Sequence, residues 1–289
     1  MPEIDARMVS SDGTIKYRLK LSDESLIECV MIPEGKKRTL CVSSQAGCSR
    51  GCKFCATAAL KLKRNLETSE IIAQVMIVSQ ELYPQRLTNL VFMGMGEPLD
   101  NLDNVLDALK ILQDEQALSF SPRRTTISTC GVVPGIKKLA ESGIKTKLAV
   151  SLNSAIEEKR QQIMPVSKQY PLNELKQALF YFRRKTNFRI TFEYILIPEF
   201  NMSIADIKAL GRFVDDLSSK INFIPMNPIS GAEWRAPNPA EIDLFMQKAQ
   251  GIRQAITLRK SRGKDILGAC GQLVAQKGEN HENSSTNRP

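Results

Sequence analysis

From Thr39 onward the chain alternates about six times between short apolar or β-branched runs and amphipathic segments, and nothing else in it limits the fold as strongly. TLCVSS, NLVFMG, RTTISTC, KLAVSL, FRITFEYILI, INFIPMNP and ITLRK read as strands. Between them lie helical patterns: 69–82, with Ile71, Ile72, Val75 and Met76 on one face; NVLDALKILQDE; a short helix after Pro134; 172–185; IADIKALGRFVDDL; and a helix after Asn238-Pro239. Such alternation predicts an α/β fold with a parallel sheet. The count suits a barrel or partial barrel of six βα units, although a doubly wound sheet gives a similar string. Either way, ligands bind at the carboxyl ends of the strands. Gly94 to Glu97, Ser128 to Cys130, Ser151 to Asn153 and Asn227-Pro228 all fall there.

TIKYRLK and LIECVMI precede this region as two strands joined by the polar stretch LSDES. The expected organisation is a short β extension over 1–37, a barrel over 38–275 and a polar tail over 276–289 that reads as disordered. The tail holds the one histidine, His281, so a histidine triad, a histidine-ligated zinc hydrolase or a core histidine base is excluded. No basic start leads an apolar run, and no run is long enough to span a bilayer. The seven cysteines are an odd number in a large chain, which argues for reduced thiols and a cytoplasmic protein. Lys and Arg exceed Asp and Glu by 40 to 31, a balance that favours a polyanionic partner such as nucleic acid.

CSRGCKFC places Cys48, Cys52 and Cys55 in one loop. Thiolates suit zinc or an iron–sulfur cluster. Structural zinc takes four ligands, and Cys41, seven residues upstream, could be the fourth. Zinc ligands usually come as two separated pairs, however, and here three cysteines share a loop with Phe54 as apolar shielding. Three thiolates can hold three irons of a 4Fe–4S cluster and leave the fourth iron for S-adenosylmethionine (SAM), which the reduced cluster cleaves to a radical.

The stretches RTLCVSSQAGCSRGCKFCAT, KRNLETSEII, VFMGMGEPLDNLDNV, ISTCGVVPGI, IPMNP and ILGACGQL together resemble the radical SAM superfamily. More narrowly, they resemble the dual-specificity RNA methyltransferases of the RlmN and Cfr type, over about 26–275. The resemblance implies a partial (β/α)6 radical SAM barrel that methylates a ring carbon of adenine in RNA, carbon 2 being the expected target. It implies a 4Fe–4S cluster on Cys48, Cys52 and Cys55 and SAM as cofactors. RNA (ribosomal or transfer), an electron donor of flavodoxin or ferredoxin type, no membrane and a monomeric state complete the expectation.

By the same resemblance, Cys270 carries the methyl group, Cys41 resolves the enzyme–RNA adduct through a transient disulfide with Cys270, and Glu28 is the proton acceptor. Gly96, Glu97, Ser128, Ser151, Leu152, Asn153 and Asn227 match the SAM-binding positions. Asn153 stands where the family usually has histidine. Cys130 replaces a usual serine and reads as structural. Glu28 is reached after 27 residues, where the family usually has a longer helical domain, so a shortened member with a weaker grip on RNA is expected. KLKR, Arg123-Arg124, Arg183-Arg184-Lys185 and RKSRGK are candidates to track an RNA backbone.

Overall fold

The computed structural model describes residues 1–275 except Ser230 and Ala232. The polar tail, with His281, lies outside the described residues. Four antiparallel strands come first: β1 (Glu3–Val9), β2 (Ile15–Lys20), β3 (Leu26–Glu34) and β4 (Lys37–Cys41). A small ribbon follows, β5 (Gln45–Ala46) with β6 (Arg64–Asn65), and then helix α1 (Thr68–Leu82). The rest runs β7 (Asn89–Phe92), α2 (Leu102–Gln113), β8 (Thr125–Thr129), α3 (Val133–Glu141), β9 (Lys147–Ser151), α4 (Glu157–Ile163), α5 (Val166–Gln169), α6 (Leu172–Thr186), β10 (Ile190–Leu196), α7 (Ile204–Val214), β11 (Ser219–Pro225), α8 (Pro239–Ala249) and β12 (Ala255–Leu258).

Ten strands form one sheet in the order β1-β2-β3-β4-β7-β8-β9-β10-β11-β12, and every neighbour from β4 to β12 is parallel. The order never reverses, which is the winding of an open barrel and not of a doubly wound sheet. The seven strand patterns from TLCVSS to ITLRK form β4 and β7 to β12, with β12 short and at the edge. The N-terminal strands continue the same sheet, because β3 pairs with β4 from Val30–Cys41 to Glu34–Lys37.

The helices start where their caps say they should. Glu67 and Glu70 close a capping box on α1, Ser203 and Asp206 on α7, and Asn238 and Glu241 on α8, where Pro239 takes the first turn. In α1, Met76 is 45% exposed, contrary to its expected place on the buried face. Five residues from Ile71, it is rotated about 140° off that stripe. Gln74 is buried there instead, accepting from Ser43 N at 2.8 Å and donating to Ser43 O at 3.0 Å. Among the described residues, no helix is long and apolar enough to cross a membrane.

A segment running from 261 to 275 closes the gap between β12 and the first strands. Ser10 Oγ donates to Asp265 at 2.6 Å, Gly263 N to Asp12 at 3.0 Å, and Val274 N to Glu28 Oε2 at 3.0 Å. This strap carries Cys270 across the mouth of the open barrel.

Candidate active site

Two cavities meet under the strap. The smaller, about 150 Å³, is lined by Cys48, Cys52 and Cys55 from the loop after β5, by Gly96 and Glu97 after β7, by Ser128 and Cys130 at the end of β8, and by Ser151 and Asn153 after β9. The larger, about 650 Å³, occupies the barrel interior and is lined by Cys41 and by residues all along the parallel strands. Closed barrels fill this space with packed side chains. Here inward positions such as Asn89, Thr126, Thr191 and Asn222 are polar, and the space stays open. Met93, Glu193, Ile224, Arg259, Cys270 and Gly271 line both cavities and so mark their junction.

The backbone holds the thiol loop and Cys270 in register. Ala56 N donates to Gly271 O at 2.7 Å, and Thr57 Oγ1 donates to Leu273 O at 2.8 Å. From the other side, Asn227 Nδ2 donates to Cys270 O at 3.1 Å, and Gln272 Nε2 to Pro228 O at 2.9 Å. Lys53 N donates to Ile163 O at 3.0 Å, fixing the thiol loop on the end of α4. Arg50 pairs with Asp100 beside it.

Burial pushes the Cys48 thiol up to about 12 and raises Cys55 as well. Such thiols ionise only beside compensating positive charge, which a bound metal centre supplies. Among the described residues no three metal-ligating side chains converge as a single ion requires. A 4Fe–4S cluster would take each of the three thiolates on a separate iron. The donor set therefore fits a 4Fe–4S cluster. Arg160 adds to that fit: fully buried in α4, it donates to the carbonyls of Leu152 at 3.1 Å and Cys130 at 2.6 Å, while its Nη1 has no partner among the described residues. This buried cation lies close enough to Cys52 and Cys130 for their charge to raise its pKa, although desolvation outweighs them and lowers it.

Cys130 is not merely structural in position, because it lines the thiol cavity and its side chain meets that of Cys52. Glu97 is wholly engaged: Oε1 accepts from Leu99 N at 3.0 Å and Oε2 from Cys130 N at 2.8 Å, and burial raises its pKa. It ties the β7 and β8 ends together. Gly96, at φ +97°, packs so tightly on Gln45 that a Cβ would come within 2.5 Å of that side chain. Asn153 also adopts positive φ, accepts from Ile195 N at 2.9 Å and donates to Met164 Sδ at 3.4 Å. Leu152 is buried behind the cavity and does not line it, and Asn227 touches Cys270 and not the thiol cavity.

Cys41 shares the interior cavity with Cys270. Burial, with Cys270 adding, pushes its thiol up to about 12, and Arg259 pulls the other way. All seven cysteines are free, so the expected Cys41–Cys270 disulfide is not a standing bond. Glu28 is not brought to either cavity. Its carboxylate is buried against Lys16 Nζ at 3.2 Å and Val274 N. Sequence reasoning missed Glu193 at the junction and took Arg259 only as part of the basic run RKSRGK; a charged residue inside an apolar strand, as in TFEYILI, was the available signal for Glu193.

An open parallel barrel with a three-thiol loop at the carboxyl ends of its strands defines a radical SAM enzyme. The model of the Radical SAM superfamily matches residues 42–210. The chain belongs to the RlmN family of dual-specificity RNA methyltransferases. It is 43% identical to dual-specificity RNA methyltransferase RlmN of Pelobacter propionicus over 94% of this chain and 77% of that protein. It is 45% identical to the RlmN of Geobacter sulfurreducens, over 93% and 74%. A crystal structure of a radical SAM methyltransferase from Sphaerobacter thermophilus superposes with a TM-score of 0.92 at 38% identity, over 95% of this chain and 82% of that one.

Proposed function

We propose that this protein methylates carbon 2 of an adenine in RNA, with Cys270 carrying the methyl group. The observation that carries the reading is the place of Cys270, on the boundary between the three-thiol cavity and the barrel interior. Gly271 beside it lines both cavities too but has no side chain, so Cys270 is the strap's reactive group there, with Cys41 in the same interior.

Cys48, Cys52 and Cys55 would hold the 4Fe–4S cluster, and Gly96, Glu97, Ser128, Ser151 and Asn153 would surround SAM, with Leu152 backing them and Asn227 fixing the Cys270 carbonyl. When bound and reduced by a donor of flavodoxin or ferredoxin type, cluster and SAM supply the radical chemistry that makes a methyl carbon reactive toward an unactivated ring carbon. Cys270 accepts the methyl group as a thioether and presents it to the interior, where the base enters. After the carbon–carbon bond has formed, the Cys41 thiolate attacks the Cys270 sulfur. An S–S bond forms, the S–C bond breaks, its electron pair passes into the adduct, and the freed methylene carbon takes a proton to become the methyl group. Arg259, cationic as any guanidinium, favours the thiolate of Cys41. Glu28 holds the strap through Val274; acting as the proton acceptor would require its contacts with Lys16 and Val274 to open.

RNA as the substrate is supported by the cations at the interior cavity: Lys37, Lys147, Lys220, Lys260, Arg259 and Arg262. Of the basic clusters in the sequence, only RKSRGK lines it. Arg64 of KLKR is committed to Glu70 at 2.7 Å and to Asp23.

Nucleoside analysis of RNA from a strain lacking the gene tests the reading. Loss of 2-methyladenosine from an RNA class, restored by the wild-type gene and not by Cys270→Ala, is the expected result. Unchanged methylated adenosines in every RNA class would refute the substrate.

A further inference from the structure

At the junction of the two cavities Glu193 and Arg259 both carry unused hydrogen-bonding capacity. Glu193, on β10, is 6% exposed. Its Oε1 accepts from Asn222 Nδ2 at 3.0 Å, and Asn222 is its register partner on β11. Thr257 in turn donates to Asn222 Oδ1, so the carboxylate is held from behind. Glu193 Oε2 is buried and has no partner among the described residues. A buried carboxylate oxygen left without a donor is costly, so a ligand that brings one is favoured there.

Arg259 stands opposite. Its backbone N–H is fixed to Phe223 O at 2.8 Å, while its guanidinium meets only Met93 Sδ, at 3.9 Å, and no carboxylate lies within 4 Å among the described residues. An open acceptor and an open donor fork therefore face one space beside Cys270. An adenine ring offers the matching pair: an exocyclic amino donor next to ring-nitrogen acceptors. Guanine would turn a carbonyl oxygen toward the carboxylate instead, and that contact is repulsive.

We propose that Glu193 and Arg259 form the seat for the target base, with Glu193 Oε2 accepting from the 6-amino group of adenine and Arg259 donating to a ring nitrogen. The assignment rests on the reading of the protein as an adenine methyltransferase. SAM carries an adenine as well, and Glu193 lines both cavities; Thr191 and Asn222 beside it line only the roomier barrel interior, so the seat is assigned to the RNA base, and the test separates the two.

The test is a cycle between protein and substrate. RNA stem-loops carry either adenosine or purine ribonucleoside, which lacks the 6-amino group, at the methylated position, and kcat/KM is measured for wild type and for Glu193→Ala. Wild type is expected to methylate the purine RNA at least about tenfold less efficiently, the effect of one hydrogen bond to a charged acceptor. Glu193→Ala should treat the two RNAs alike to within about twofold. A purely structural role for Glu193 would slow both RNAs equally and leave discrimination intact, which overturns the proposal. A seat built for the adenine of SAM gives that same unchanged discrimination and overturns it too. If Glu193→Ala fails to fold, judged by absence of iron–sulfur absorbance after reconstitution, Glu193→Gln replaces it and should still lose at least about threefold of the discrimination. Wild-type protein that leaves the adenosine RNA unmethylated refutes the methyltransferase reading and the seat together. Methylation of both RNAs with equal efficiency refutes the seat alone.

Discussion

Lys16 Nζ stands 3.2 Å from Glu28 Oε1 with both side chains withdrawn from water, and the second carboxylate oxygen holds the Val274 N–H. Burial raises the Glu28 pKa, and Lys16 opposes the rise. Removing one partner leaves the other as an unpaired charge inside the protein. Lys16→Met should therefore cost about 3–5 kcal/mol. The double variant Lys16→Met/Glu28→Gln should recover most of that, because the amide oxygen still serves Val274. Urea unfolding of the four proteins gives the coupling; losses that simply add would show that the pair is not acting as one.

Five cysteines line the thiol cavity, three of them on one loop, and their parts are separable. Anaerobic reconstitution of Cys48→Ala, Cys52→Ala or Cys55→Ala should yield protein without iron–sulfur absorbance. Cys130→Ser should keep it, since Cys130 lies at the end of β8 and off the loop that carries the other three. A Cys130 variant unable to assemble a cluster, beside a Cys55 variant that can, would invert the assignment.

Alkaline pH should weaken the fold through Cys41. Its thiol is displaced from an ordinary value of 9.0 up to about 12 by burial. Between those values the unfolded chain has lost this proton and the folded protein still binds it. Stability therefore falls as pH rises through that window, by about 1.4 kcal/mol per pH unit for this one group, and the penalty is absent below pH 9. Cys41→Ser should flatten the slope of unfolding free energy against pH above 9. On the proposed mechanism the same ionisation gates resolution of the adduct. Arg259→Met should accumulate a covalent protein–RNA species that clears faster as the pH is raised, visible by denaturing electrophoresis; clearance that ignores pH would separate Arg259 from Cys41.

The alternation of strand and helix patterns was legible because buried parallel strands such as β10 are apolar nearly throughout and the helices carry caps. β1 escaped because five of its seven residues are exposed, so it shows little of the apolar signal that marks a strand. α4 escaped because its only buried residues are Ile163 and an arginine, Arg160, which is held by carbonyls distant in sequence. The thiol loop could be read because three ligands are local in the chain. The junction could not, since Glu193 on β10 lies far in sequence from Arg259 and Cys270, and only the fold brings them together. Glu28 shows the opposite case: a position matched by resemblance turns out to be tied to the strap.

Gly271 sets the distance between Cys270 and the thiol loop. It sits at φ +81°, its carbonyl accepts the Ala56 N–H at 2.7 Å, and a Cβ would lie 2.9 Å from Phe54 O and 3.8 Å from Cys55 Cα. Gly271→Ala adds both backbone strain and a clash with a carbonyl that cannot rotate away. The strain should cost about 1–3 kcal/mol. The strap would relieve the clash by lifting off the loop and carrying Cys270 with it. Cluster absorbance should survive, because the three thiols are untouched, while the methylated fraction of Cys270, read by peptide mass spectrometry, should drop severalfold. Gly268→Ala provides the contrast on the same strap: its φ is not positive, and its Cβ would meet Gly263 O at 3.3 Å, so a small shift accommodates it. Gly268→Ala should keep Cys270 methylated. Equal methylation in both variants would mean that the close approach at Gly271 does not control delivery of the methyl group.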